Sequence, residues 1–191
     1  SSVLYGGHAN VFGLAEWVDF RLGGNHDLDA LLREAHQHGA VAPVNHDKEP
    51  LPWDYDYPDM DCFEVYLGHW LTGDDGILKT YVRFLAEGRR ISLIGGSDYH
   101  QPEDLMPPSL FGLGRPTTVL WLPHLDAASV VGGLKSGHGY ITESPTGPHL
   151  AFTISDELRV GTECRSRCSP YHYTKKIVTA HLLLPQPDYV K

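Results

Sequence analysis

The stretch Ile91-Ser-Leu-Ile-Gly-Gly-Ser-Asp-Tyr-His100 constrains the fold more than any other part of this chain. Ile91 to Ile94 reads as a buried strand, and the glycine pair that follows makes a tight turn presenting Asp98 and His100. In an extended segment, side chains two residues apart point to the same side. A carboxylate and an imidazole so placed at the C-terminal end of a strand suit a divalent metal, since both are hard-to-borderline ligands. An N-cap aspartate beside a solvent-exposed histidine is the alternative reading of the same Asp-x-His.

The flanking chain alternates strands and helices. Asp27 to His38 reads as an amphipathic helix, with Asp27 as N-cap, Leu28, Leu31, Leu32 and Ala35 on one face, and Gly39 as its stop. His26, His36 and His38 fall at its ends or on its polar face and read as solvated. Val41 to His46 follows as a short apolar strand ending in a polar pair, then a Pro-rich aromatic loop containing Trp53. Cys62 to Leu67 is the next strand. A helix starting near Asp74 or Asp75 carries Ile77, Leu78, Tyr81, Val82 and Leu85 as its apolar face and closes at Gly88. Beyond the Asp98–His100 turn come a strand Thr118 to Leu122, a helix Ala127 to Leu134 capped by Asp126 and stopped by Gly137, and a short strand Tyr140 to Thr142. Such alternation predicts an α/β fold with a mostly parallel sheet or barrel, whose chemistry sits at the C-terminal ends of the strands. After Pro145 the pattern changes. Leu150 to Ile154 and Ile177 to Leu184 read as strands with no helix between them, so residues 146–191 form a β-rich appendage to a domain over 1–145.

With 191 residues there is material for one sizeable core, or for one domain and part of another. A formal net charge of −9 argues against nucleic acid as a partner, which would need a basic face. It is compatible with metals, as are the 12 histidines, a high number for this length. No apolar run reaches membrane-spanning length, so a soluble protein with no membrane partner is expected, its compartment left open. Cys62 reads as a buried thiol, and the Cys164-Arg-Ser-Arg-Cys168 spacing allows a disulfide without requiring one.

Two further histidines join the candidate set. His8 lies in Gly6-Gly7-His8, where the glycines leave the backbone unencumbered, and His46 ends its strand. Spread along a βα pattern and on the same predicted edge, His8, His46, Asp98 and His100 form a candidate metal constellation. The segments Gly7-His-Ala-Asn-Val-Phe-Gly13, Val44-Asn-His46 with Pro52-Trp53, Phe63-Glu-Val-Tyr66, Gly88-Arg-Arg followed by Gly95-Gly-Ser-Asp-Tyr-His100, and Gly114-Arg-Pro-Thr-Thr118 resemble the PHP (polymerase and histidinol phosphatase) superfamily. The CehA/McbA-type branch of metal-dependent hydrolases is the most similar, and the resemblance covers roughly residues 1–150.

The resemblance implies the C-terminal portion of a distorted (β/α)7 barrel, with two or three divalent ions (Mn, Fe or Zn) at the strand ends. By position it makes His8, His46, Asp98 and His100 metal ligands. The family's proline after the second of these histidines is Asp47 here. Its opening His-x-His motif and bridging Glu would precede His8, so the missing first half of the barrel is expected in the parent chain or a partner. The expected reaction is hydrolysis of a small phosphate monoester or diester by metal-bound hydroxide, with Asp98 orienting the nucleophile and His100 beside it as catalytic residues. Lys48 and Arg115 are candidates for binding the anionic substrate, and Trp53 for walling the pocket. A carbamate, ester or amide hydrolase on the same scaffold is one alternative, and a non-catalytic degenerate module is another.

Overall fold

Three strands, β2 (Pro43–Asn45), β3 (Cys62–Leu67) and β4 (Ser92–Gly96), run parallel in the first of two units, Ser1–Pro145. The two-residue β1 (His8–Ala9) pairs antiparallel with β2, giving the order β1-β2-β3-β4. These elements come from a computed structural model, which describes residues 6–48, 52–68, 74–100, 112–158 and 174–183. Cys164 and Cys168 lie outside the described residues.

Strand β3 is buried on both faces, with Cys62, Phe63, Glu64 and Val65 all inside, as expected where a parallel sheet is covered on both sides. Helix α2 (Asp74–Ala86) joins β3 to β4 and packs Ile77 and Phe84 against Phe63, Val65 and Ile91. Helix α1 (Asn25–Gln37) places Leu28 and Leu32 against Ala42. The opposite face, carrying Val41, Cys62 and Ile94, meets Leu134 of helix α3 (Ala127–Ser136), with Val130 and Val131 beside it. Phe84 is only 2% exposed and makes edge contacts with Tyr57 and Phe63. Leu78, Val82 and Leu85 stay exposed. Of the expected face only Ile77 and Tyr81 turn inward, while Phe84, which that face did not include, is buried in place of Leu78, Val82 and Leu85. The side carrying the large ring went inside.

Helix α1 begins two residues earlier than its expected cap. Gly24 occupies the N-cap without a side-chain bond, and Asp27 instead accepts from the Gly23 N–H at 2.9 Å. Gly39 ends it with φ +76°, as a left-handed C′ residue does. His36 is not solvated. Its Nε2 lies 2.8 Å from Asp61 Oδ2, which also accepts from the Ala42 N–H at 2.9 Å.

The remaining strands depart from the expected parallel order. Strands β5 (Thr117–Leu120) and β6 (Gly139–Thr142) form an antiparallel pair on either side of α3. Gly137, at φ +67°, turns the chain straight back from the helix. Gly139 then runs so close to β5 that a Cβ there would sit 2.3 Å from the Val119 carbonyl oxygen. The link from β5 to the main sheet is a side chain, since Thr118 Oγ1 bonds both the Gly95 N–H (2.9 Å) and the Gly95 carbonyl (3.0 Å). Among the described residues, what is observed is a mixed α/β unit with a four-stranded sheet and three helices.

The second unit, Thr146–Lys191, contains β7 (His149–Leu158) and β8 (Thr174–Leu183), an antiparallel pair in register from His149↔Leu183 to Leu158↔Thr174.

Candidate functional site

The C-terminal ends of the parallel strands collect the polar residues that packing cannot explain. His46 follows β2 and is 6% exposed, and Glu64 in mid-β3 is 5% exposed. His46 Nδ1 lies 2.7 Å from Glu64 Oε2 and donates to it, which fixes that nitrogen as the protonated one. The other ring nitrogen, Nε2, lies 2.8 Å from His8 Nδ1. The two rings meet edge to face, with centroids 4.9 Å apart. A buried carboxylate, a fixed imidazole and a second imidazole thus form one row across β3, β2 and β1.

Close backbone approach holds the row in place. A Cβ on Gly96 would lie 2.2 Å from Glu64 Oε1, so only glycine lets the carboxylate lie across β4. A register shift between Glu64 and Tyr66 in the β3–β4 ladder falls at the same point, and bulges often aim a side chain in this way. On the other side, Gly6 and Gly7 press against aromatic rings. A Cβ would meet Tyr55 at 2.5 Å and Trp53 at 2.6 Å respectively. Trp53 accordingly walls the His8 loop, and its indole N–H donates to the Asp56 carbonyl at 3.1 Å.

Asp47 organises the loop after His46. Its carboxylate accepts from the Trp53 N–H at 2.9 Å and from the Tyr57 hydroxyl. Burial, with Asp47 beside it, pushes the Tyr57 hydroxyl well above its ordinary range. Two hydrogen bonds to one carboxylate thus shape that loop.

Backbone strain marks the same places. His46 (φ 25°) and Asp98 (φ 48°) are the non-glycine residues with positive φ among the described residues. Each such residue costs on the order of 1–3 kcal/mol, and such costs cluster where a side chain must be aimed. Asn45 adds a third irregularity. Its Oδ1 is buried with no hydrogen-bond partner among the described residues, and Asn45 stands directly opposite His8 in the β1–β2 pair. Side chains opposite one another on neighbouring strands share a face.

The four predicted ligands fall into two pairs. His8 meets His46, while His100 turns back on its own strand end. Its Nδ1 donates to the Asp98 carbonyl at 2.6 Å, with Asp98 Oδ1 at 3.5 Å. Both side chains are open to solvent. Among the described residues, no three His, Cys, Asp or Glu side chains gather as a metal-binding group. Lys48 is half-buried, and its N–H donates to the His46 carbonyl at 2.8 Å. Arg115 precedes Pro116 across a cis peptide, and its N–H donates to the Gly112 carbonyl at 3.2 Å. Glu64 is the site residue that the sequence reading passed over.

Comparison with family models, with curated proteins and with solved structures returns no match for this chain.

Proposed function

We propose that this chain carries part of the active site of a metal-dependent hydrolase of the PHP kind, acting on phosphate esters. The observation that supports this most is the Glu64–His46–His8 row. Two nitrogens bound at about 2.1 Å and at the right angle of an octahedral ion such as Mn or Fe lie about 3.0 Å apart, and about 3.4 Å apart on tetrahedral Zn. The 2.8 Å between His46 Nε2 and His8 Nδ1 suits the octahedral spacing. A carboxylate on the outer nitrogen of a ligating histidine is the usual device for holding its tautomer and raising its basicity. The orphaned Asn45 Oδ1 supplies a further polar atom on the face that His8 shares.

In this reading His8 and His46 hold a divalent ion, with Asp98 and His100 as further ligands from the end of β4. A bound ion would supply Lewis acidity and bring the pKa of water toward about 7. Glu64 keeps His46 turned inward. Asp98 orients the attacking water. His100, whose Nδ1–H is committed to the Asp98 carbonyl, offers Nε2 to the ion beside Asp98. Lys48 and Arg115 are assigned to the substrate's anionic group, and Trp53 to excluding water behind His8.

The aromatic wall of Trp53 and Tyr55 favours a second reading, hydrolysis of a neutral aryl carbamate, ester or amide. One assay separates the two. The parent protein, with the first half of the barrel present, is loaded with Mn, Fe or Zn and offered p-nitrophenyl phosphate, its bis ester and a neutral aryl carbamate, with and without chelator. Chelator-sensitive turnover of the phosphates, lost in His46→Ala, is the expected result. Turnover of the carbamate alone supports the second reading, and turnover of nothing by the metal-loaded protein counts against both.

A further inference from the structure

The geometry points to a second site, a cleft at the amino-terminal edge of the parallel sheet that binds a small organic anion. The cleft has a volume of about 600 Å3, within the range of roughly 300–1,000 Å3 typical of small-molecule sites. It lies where α2 and α3 end and β4 begins, at the opposite end of the strands from His46 and Asp98. Its charged lining is Arg89, Arg90 and Lys135, and its apolar lining includes Leu85, Ile91 and Leu93. Among the described residues no carboxylate lines it, in a chain whose net charge is −9.

The three cations are not consumed by the fold. Arg89 is held in place, with Nη2 donating to the Pro58 carbonyl at 2.7 Å and the guanidinium 4.6 Å above the Phe84 ring. That anchoring pre-orients the group and leaves it further N–H donors for a ligand. Arg90 is exposed and makes no hydrogen bond or ion pair with a described residue. Lys135 approaches Asp61 Oδ1 only at 3.9 Å, while the other oxygen of that carboxylate serves Ala42 and His36. Lys135 does complement the C-terminal end of α3. The cation in the last turn of α2, however, is Arg83, so Arg90 is not needed there. Leu85 and Leu93 are exposed beside these charges, at 48% and 37%. Cations and aliphatic surface in one concavity select a ligand with an anionic head and an apolar body. A free inorganic anion would leave the leucines wet.

Naphthalene sulfonate is a suitable probe, because it has both parts and no ester to hydrolyse. It is titrated into the full chain in chelator, so that metal at the His46 end plays no part. Saturable binding is expected, weakened about tenfold or more in the Arg90→Glu/Lys135→Glu double variant. It should be unchanged in His46→Ala and in Lys79→Glu, a charge reversal on α2 away from the cleft. Inorganic phosphate at equal concentration should not displace the probe. Unaltered binding by the double variant, with circular dichroism showing it folded, overturns the proposal. An equal loss in Lys79→Glu also overturns it, by showing that the overall field of the protein is responsible.

Discussion

Glu64 decides which nitrogen of His46 faces His8. Removing its charge while keeping its shape isolates that role. Glu64→Gln is expected to weaken Zn or Mn binding by about 10–100-fold, as measured by calorimetric titration. Gly96→Ala should act in the same direction without touching the carboxylate, since its Cβ would lie 2.2 Å from Glu64 Oε1. If Gly96→Ala binds metal as tightly as the parent, positioning by Glu64 is the wrong account. The sequence could show Phe63-Glu-Val-Tyr66 as a motif but not the role of Glu64. In a strand buried on both faces no hydrophobic alternation singles out a charged residue, and the partner that satisfies it lies 18 residues away. His8, His46 and the Asp98–His100 turn were legible because glycines and strand ends mark them locally. Their sorting into two pairs depends on backbone turns at His46 and Asp98 that no local rule gives.

The helices separate local from tertiary information in the same way. The ends of α3 could be read directly. Asp126 Oδ1 accepts from the Ser129 N–H at 2.7 Å, and Gly137 closes the helix in the left-handed conformation. The Ser129 N–H holds the Asp126 carboxyl below its ordinary value of 3.8. A depressed folded-state pKa contributes stability that is present above the unfolded value and lost as pH falls through the folded one. Asp126→Ala should therefore destabilise the protein at neutral pH, and the difference from the parent should shrink once the pH drops below about 3.8. Urea unfolding at pH 7 and near pH 3 would reveal a gap that fails to close. The inward face of α2 was less legible, because apolar residues run round much of the helix and the expected face took in Leu78, Val82 and Leu85 and left out Phe84. Phe84→Ala should cost about 3–5 kcal/mol, since a large ring leaves a filled cluster. Val82→Ala, at 56% exposure, should stay within about 0.5 kcal/mol. The antiparallel course of β6 was hidden for a similar reason. It depends on Gly139 accepting the Val119 carbonyl at close range, a contact between segments separated by a whole helix.

At the scale of the molecule, the candidate metal residues all lie in Ser1–Pro145, and so do all four tryptophans, Trp17, Trp53, Trp70 and Trp121. Intrinsic tryptophan fluorescence therefore follows the unfolding of the unit that carries the site. A ligand that binds only the folded form at 100 times its dissociation constant stabilises it by about 2.7 kcal/mol. For a unit near this size, each kcal/mol raises the midpoint by roughly 2–4 °C. Saturating Mn or Zn should then raise the fluorescence-detected midpoint by roughly 5–10 °C. Chelator should reverse the shift. His46→Ala should melt at the same temperature with and without metal, because it removes the one side chain that joins Glu64 to His8. A metal shift that survived in His46→Ala would place the ion elsewhere. It would leave the Glu64–His46–His8 row as a buried hydrogen-bond network that holds β1 to the sheet edge.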